Sequence, residues 1–199
     1  QEFLKRNTFR VPEQVPTINE AMRVGLNLSK QKEYSKGKPL VVMLSEGEHA
    51  VEGNWTCPIS LRLGRTLSCP NTLEITSSNI SFIGQGKDKT TVQGGFGMLN
   101  KKNVTVKDLI LTNPYGFNGL DVQGEEASVE MMGVSVRECG DSGLYVTSGA
   151  SVKATQCEIS ENGDCGVVVL RDSKGIFTDC SIHHNGSRGL CASMQGTLV

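Results

Sequence analysis

The sequence predicts an all-β solenoid, short strands wound into stacked coils, with one α-helix at its N-terminal end. Three observations carry that prediction. A period of 23 residues runs without a gap through 127–149, 150–172 and 173–195. Inside each copy apolar and polar residues alternate with period two, the mark of strands with one buried face. Glycine fills 23 of 199 positions while aromatics make up 5%, a composition suited to many short strands and tight bends.

The copies are "ASVEMMGVSVRECGDSGLYVTSG", "ASVKATQCEISENGDCGVVVLRD" and "SKGIFTDCSIHHNGSRGLCASMQ". Gly140, Gly163 and Gly186 share one column, and Gly143, Gly166 and Gly189 another. Val134, Cys157 and Cys180 align, followed by Val136, Ile159 and Ile182; Leu144, Val167 and Leu190 align further on. One copy alone reads as a hairpin, because β-prone runs flank Asn162-Gly163. A hairpin buries its own pair and has no need of equivalent residues 23 positions away. Coils that stack about 4.8 Å apart do need them, since each residue then lies over its own equivalent. The glycines are expected at bends with positive φ or close backbone approach, and Asn162 and Asn185 at a left-handed bend. The two columns 134/157/180 and 144/167/190 should face inward, which makes Cys157 and Cys180 packing residues.

Earlier coils are looser. "NVTVKDLILTNPYGFNGLDVQG" keeps Leu109, Leu111, Gly119, Leu120 and Val122 in the repeat positions, and "NISFIGQGKDKTTVQGGFGML" is a more distant copy. Five to six coils are expected over residues 39–199. Residues 1–38 read as an N-terminal cap. Thr17 and Glu20 form a capping box, and Ile18, Ala21, Met22 and Gly25 share one helical face, predicting a helix near 17–28 that covers the apolar end of the stack. "PLVVML" then begins a buried strand that ends in a Glu-Gly turn. Residues 52–72, with Trp55, Pro58, Pro70, Cys57 and Cys69, interrupt the first coil as a loop, in which the two cysteines are near enough in sequence to pair.

Twenty basic and 21 acidic residues are well mixed, so no basic stripe points to nucleic acid. No apolar run is long enough to cross a bilayer as a helix. Seven cysteines, an odd number, fit an intracellular setting, while five Asn-x-Ser/Thr sequons (Asn27, Asn54, Asn79, Asn103, Asn185) leave secretion open. No cysteine spacing matches a zinc motif, and neither metal nor cofactor is expected.

"TINEAM", "VVMLSEGEH", "NISFIGQGKDKTTVQGG" and the coils after them resemble the opening of the pectin-lyase-like superfamily of right-handed parallel β-helices. That resemblance spans nearly the whole chain and implies the fold, not an activity. Members include polysaccharide lyases, polygalacturonases, pectin esterases and alginate epimerases. The Asn-Thr-Asp, Asp-Asp and Gly-His-Gly of polygalacturonase-like sites are absent, as is the epimerase Asp-Pro-His-Asp. The seven aspartates are scattered rather than clustered for calcium. The coils are most similar in texture to the non-catalytic β-helical repeats of certain F-box substrate adaptors and Shc-binding cytokinesis proteins.

The nearest thing to a catalytic constellation is the bend after each second strand. Stacking aligns Glu138, Glu161 and His184 in one column and Asp141 with Asp164 in another, carboxylates about 5 Å apart as in a retaining glycosidase pair. Polar residues on a solvated bend explain the same pattern. His183–His184 is expected to be exposed turn, because strand neighbours point to opposite faces.

The sequence therefore points to a non-catalytic recognition domain that binds protein or polysaccharide on its sheet faces. A polysaccharide-acting enzyme and a structural element of a larger assembly are the alternatives. "GTLV" at 196–199 opens a further copy, which predicts either additional coils in a longer parent or end-to-end self-association through the open rung Lys174–Met194.

Overall fold

The computed structural model describes residues 7–29, 33–57, 67–115 and 117–199. Three parallel sheets run the length of a solenoid, with eight, six and six strands among the described residues. One coil shows the plan: Ser151–Thr155 lies in the first sheet, Glu158–Ser160 in the second and Val167–Leu170 in the third. Each strand pairs in parallel with its equivalent one coil away, as in Ser135↔Glu158↔Ser181 and Leu144↔Val167↔Leu190. Nothing pairs antiparallel across Asn162-Gly163, so the repeat is a coil and not a hairpin.

The inward columns form one continuous core. Val134, Val136, Ile159, Leu144 and Val167 are fully buried, and Cys157 is 2% exposed. Leu190 stands in its column yet is 46% exposed, because no described strand pairs with its outer edge.

Of the two alternatives expected for the glycines the second holds, and the left-handed bend expected at the asparagines is corrected. The six aligned glycines do not carry positive φ; the left-handed positions are Glu138, Glu161 and His184, and also Asp108, Gly133, Gln156 and Asp179 at the bend before the second sheet. The glycines serve close approach instead. A Cβ on Gly163 would collide with the Gly140 carbonyl, and one on Gly186 with the Gly163 carbonyl. Asn162 and Asn185 are not left-handed either. They form a ladder, in which Asn162 Nδ2 donates to Asn185 Oδ1 at 2.9 Å and Asn162 Oδ1 accepts from Cys139 N–H at 3.1 Å. Asparagine's tolerance of left-handed backbone is used at Asn79 and Asn103, which ladder in the same way at 2.8 Å.

The helix α1 spans Ile18–Ser29, and Ile18, Ala21, Met22 and Gly25 face the core. Gly25 is required there, since a Cβ would run into the Leu40 side chain. Half of the capping box forms: Glu20 N–H donates to Thr17 Oγ1 at 3.1 Å, while the Glu20 carboxylate turns to Arg23. Thr8–Val11 is a strand of the first sheet, paired with Leu40–Leu44, which was not foreseen.

The interrupting segment is not a plain loop. Asn54–Cys57 and Leu67–Pro70 form an antiparallel hairpin, with Trp55 opposite Cys69 and Cys57 opposite Leu67. Residues 58–66 of that segment lie outside the described residues.

Candidate functional site

The bend residues singled out from sequence stack as expected, but they do not converge. Glu138, Glu161 and His184 are exposed left-handed corners, and Asp141 and Asp164 are exposed as well. Glu138 leans back toward Arg137 at 3.8 Å. The expected divergence of His183 and His184 is corrected, because the left-handed backbone at His184 breaks strand alternation. Their Nδ1 atoms lie 2.7 Å apart, and His183 Nε2 reaches Glu158 Oε1 at 3.2 Å. This chain of polar groups links the edges of two successive coils of the second sheet.

A second cluster was not legible as a site. The outward residues of the third-sheet strand Leu120–Gln123 are Asp121, flanked in register by Gly97 and Tyr145, and Gln123, flanked by Leu99 and Thr147. The hairpin lies over them. Trp55 is 2% exposed and fills the space above Gly97, where a Cβ would enter its ring. Cys57 and Cys69 join Trp55 and Phe117 in a small apolar cluster. No disulfide joins the two cysteines. They are diagonal rather than directly opposite on the hairpin, a separation of roughly 7–8 Å that is wide for a bridge.

Under this roof Asp121 is 6% exposed. Its Oδ1 accepts from Gln123 Nε2 at 2.9 Å and its Oδ2 from Asn118 Nδ2 at 3.3 Å. Burial lifts the carboxyl to about 7; the two amide donors oppose that rise and nearby Asp141 adds to it. The Cys69 thiol is pushed to about 12, by burial first and then by Asp121, Cys57 and Asp141. Gln123 Nε2 also donates to Cys57 Sγ at 2.9 Å, so both amide hydrogens are committed and its orientation is fixed. That leaves Gln123 Oε1 buried with no partner among the described residues, next in register to Thr147 Oγ1 in the same condition. A carboxyl that exchanges its proton near neutrality is suited to acid–base work.

The third feature is open. Along the outer face of the first sheet runs a groove of about 480 Å3. The in-register row Ser81, Thr105, Glu130, Lys153 and Ile176 forms its floor. Lys36 and Pro39 stand at one wall. That wall is held by Asn79 Nδ2, which donates to the Tyr34 carbonyl at 2.9 Å. Lys153 and Glu130 pair loosely at 3.7 Å. Among the described residues, no group of three or more acidic, histidine or cysteine side chains is arranged to hold a metal.

Residues 67–199 match the family described as right-handed β-helix region. The chain belongs to that family. No curated protein matches its sequence. Among solved structures it is similar to the Agl-KA catalytic domain, at 14% identity and TM-score 0.63, over 94% of this chain and 34% of that one. A pectin methylesterase in complex with a hexasaccharide gives 12% identity and TM-score 0.60, over 92% of this chain and 58% of the other. ORF18 of Geobacillus virus E2 gives 15% and 0.59, over 94% and 43%. The chain thus spans less than two thirds of each. At these identities the likeness shows the fold alone, a right-handed parallel β-helix.

Proposed function

We propose that the chain is a recognition domain that holds an extended glycan in the groove of the first sheet without turning it over. The groove itself carries this reading. Hydroxyls of Ser81, Thr105, Ser128 and Ser151, the Asn103 amide and three lysines face one open trough across successive coils. Coils recur about every 4.8 Å, so a polymer of like units meets a repeated set of donors and acceptors. Pro39 and Ile176 offer apolar contact for the C–H faces of sugar rings. A glycan is preferred over a protein because the trough is floored by small hydroxyls and lacks the aromatic anchors of protein interfaces. The hexasaccharide bound by the similar pectin methylesterase supports the same choice.

Calorimetric titration with a panel of neutral and charged oligosaccharides tests it. Saturable binding is expected, weakened at least tenfold by Thr105→Ala with Lys153→Ala and unchanged by Asp121→Asn. Failure of every oligosaccharide in the panel to bind would overturn the reading.

One observation favours a second reading, a polysaccharide-acting enzyme with Asp121 as its acid–base group: the Asp121 carboxyl is poised near neutrality beside Asp141. Turnover of a polysaccharide that is abolished by Asp121→Asn would replace the first reading with this one.

A further inference from the structure

We propose that Cys157 and Cys180 are an inter-coil disulfide site, two thiols that an external disulfide such as oxidised glutathione joins to tie the coil starting at 150 to the coil starting at 173. Ser181 N–H donates to the Cys157 carbonyl at 2.9 Å, and Glu158 pairs with Ser181 in register. Cys157 and Cys180, each one residue earlier, therefore hold the same position in consecutive coils. Consecutive coils lie about 4.8 Å apart, inside the roughly 4.4–6.8 Å Cα separation usual for a disulfide.

The side chains favour the same union. Each Sγ lies 3.3 Å from the carbonyl two residues before it, Thr155 for Cys157 and Thr178 for Cys180, so the two thiols stack in like orientation. Cys180 Sγ also reaches the Ala154 carbonyl at 3.5 Å, an atom of the Cys157 coil, and so leans toward its partner. The contacts given up on bridging are weak sulfur hydrogen bonds.

Access sets the order of events. Cys157 is 2% exposed and its thiol is pushed to about 11, by burial first, whereas Cys180 is only half-buried. Cys180, as thiolate, attacks one sulfur of the external disulfide and expels one thiolate. Cys157 then loses its proton to solvent base and attacks the mixed disulfide, expelling the second. Two protein thiols are oxidised and one external disulfide is reduced to two thiols, which balances the step.

The other cysteines do not stack on one another in register. Cys139 stacks on Asn162, Cys165 on Arg188 and Cys191 on Val168, while Cys57 and Cys69 are diagonal on their hairpin. The site is independent of what the groove binds.

Peptide mapping after exposure to oxidised glutathione tests the proposal, with trypsin releasing 154–171 and 175–188 as separate peptides. Cys165 shares the first peptide, so the mapping is done on the wild type and on Cys165→Ser. The expected result is a cross-linked pair in both, absent from Cys157→Ser and Cys180→Ser and released by dithiothreitol. The oxidised protein should also melt several degrees higher than the reduced one. Cys180→Ser alters a half-buried side chain and should keep the far-UV circular dichroism of the wild type, so loss of the cross-link there reports chemistry and not misfolding. A mixed disulfide that stops at Cys180, a bridge that forms between Cys57 and Cys69 instead, or thiols that all stay reduced would each overturn it.

Discussion

The regular coils 127–195 and the roofed strand Leu120–Gln123 obey the same alternation and differ in who supplies the surroundings. In the coils a residue's neighbour is its own copy: Gly163 stands against Gly140, Asn162 on Asn185, Ile159 under Val136. At the roofed strand the neighbour comes from far along the chain. Trp55 sits on Gly97, and Cys57 meets Gln123 from 66 residues away. A repeat fixes which side chains point outward. It does not fix whether outward means wet. Asp121 and Lys153 both stand on the outward side of their strands, yet one is a buried carboxyl near pKa 7 and the other an exposed ammonium.

The largest effect that separates the regions is steric. Gly163→Val places a branched side chain against the Gly140 carbonyl, a backbone atom with nowhere to go, and should cost more than about 4 kcal/mol in urea unfolding. Gly37→Ala, in open space, should change stability by less than about 0.5 kcal/mol.

Next comes a pH effect confined to the roofed region. The folded carboxyl of Asp121 titrates at about 7, against 3.8 for the ordinary group. The unfolded chain therefore releases this proton first as pH rises. The contribution of this one group to stability is highest below about pH 4, falls between about 4 and 7, and stays reduced above that, by at most about 4 kcal/mol. Asp121→Asn should remove this slope and stabilise the protein at pH 8, as followed by urea melts at pH 4 and 8. A wild-type slope that persists unchanged in the variant would contradict the assignment.

A smaller effect returns to the coils. Asn162→Ala deletes the side chain that accepts from Cys139 N–H and donates to the Val136 carbonyl and to Asn185. Leaving those groups buried should cost about 2 kcal/mol, with faster amide exchange at Cys139.

The same contrast explains what could be read without coordinates. The period, the inward columns, the parallel register and α1 were all legible, because each depends on residues close in sequence or on a copy one coil away. The bend chemistry was half legible. Position identified the Asn162–Asn185 and Gly163–Gly186 columns, while their roles as ladder and close contact follow from stacking geometry. Asp121 was visible only as one of seven scattered aspartates. Its outward place next to Gly97 was in the alternation, but its burial needed the hairpin, and the segment carrying Trp55 reads from sequence as a loop. The bend candidates Glu138, Glu161 and His184 lie at exposed left-handed corners, where their side chains meet solvent.

The claim on which this contrast rests is that a distant hairpin turns an outward carboxyl into an interior one. Carbon-13 NMR titration of the Asp121 side-chain carboxyl, in the wild type and in Trp55→Ala, tests it most directly. The account predicts a midpoint near 7 in the wild type, falling toward the ordinary 3.8 once Trp55 no longer covers Gly97. A wild-type midpoint already near 3.8, or one indifferent to the loss of Trp55, would contradict it.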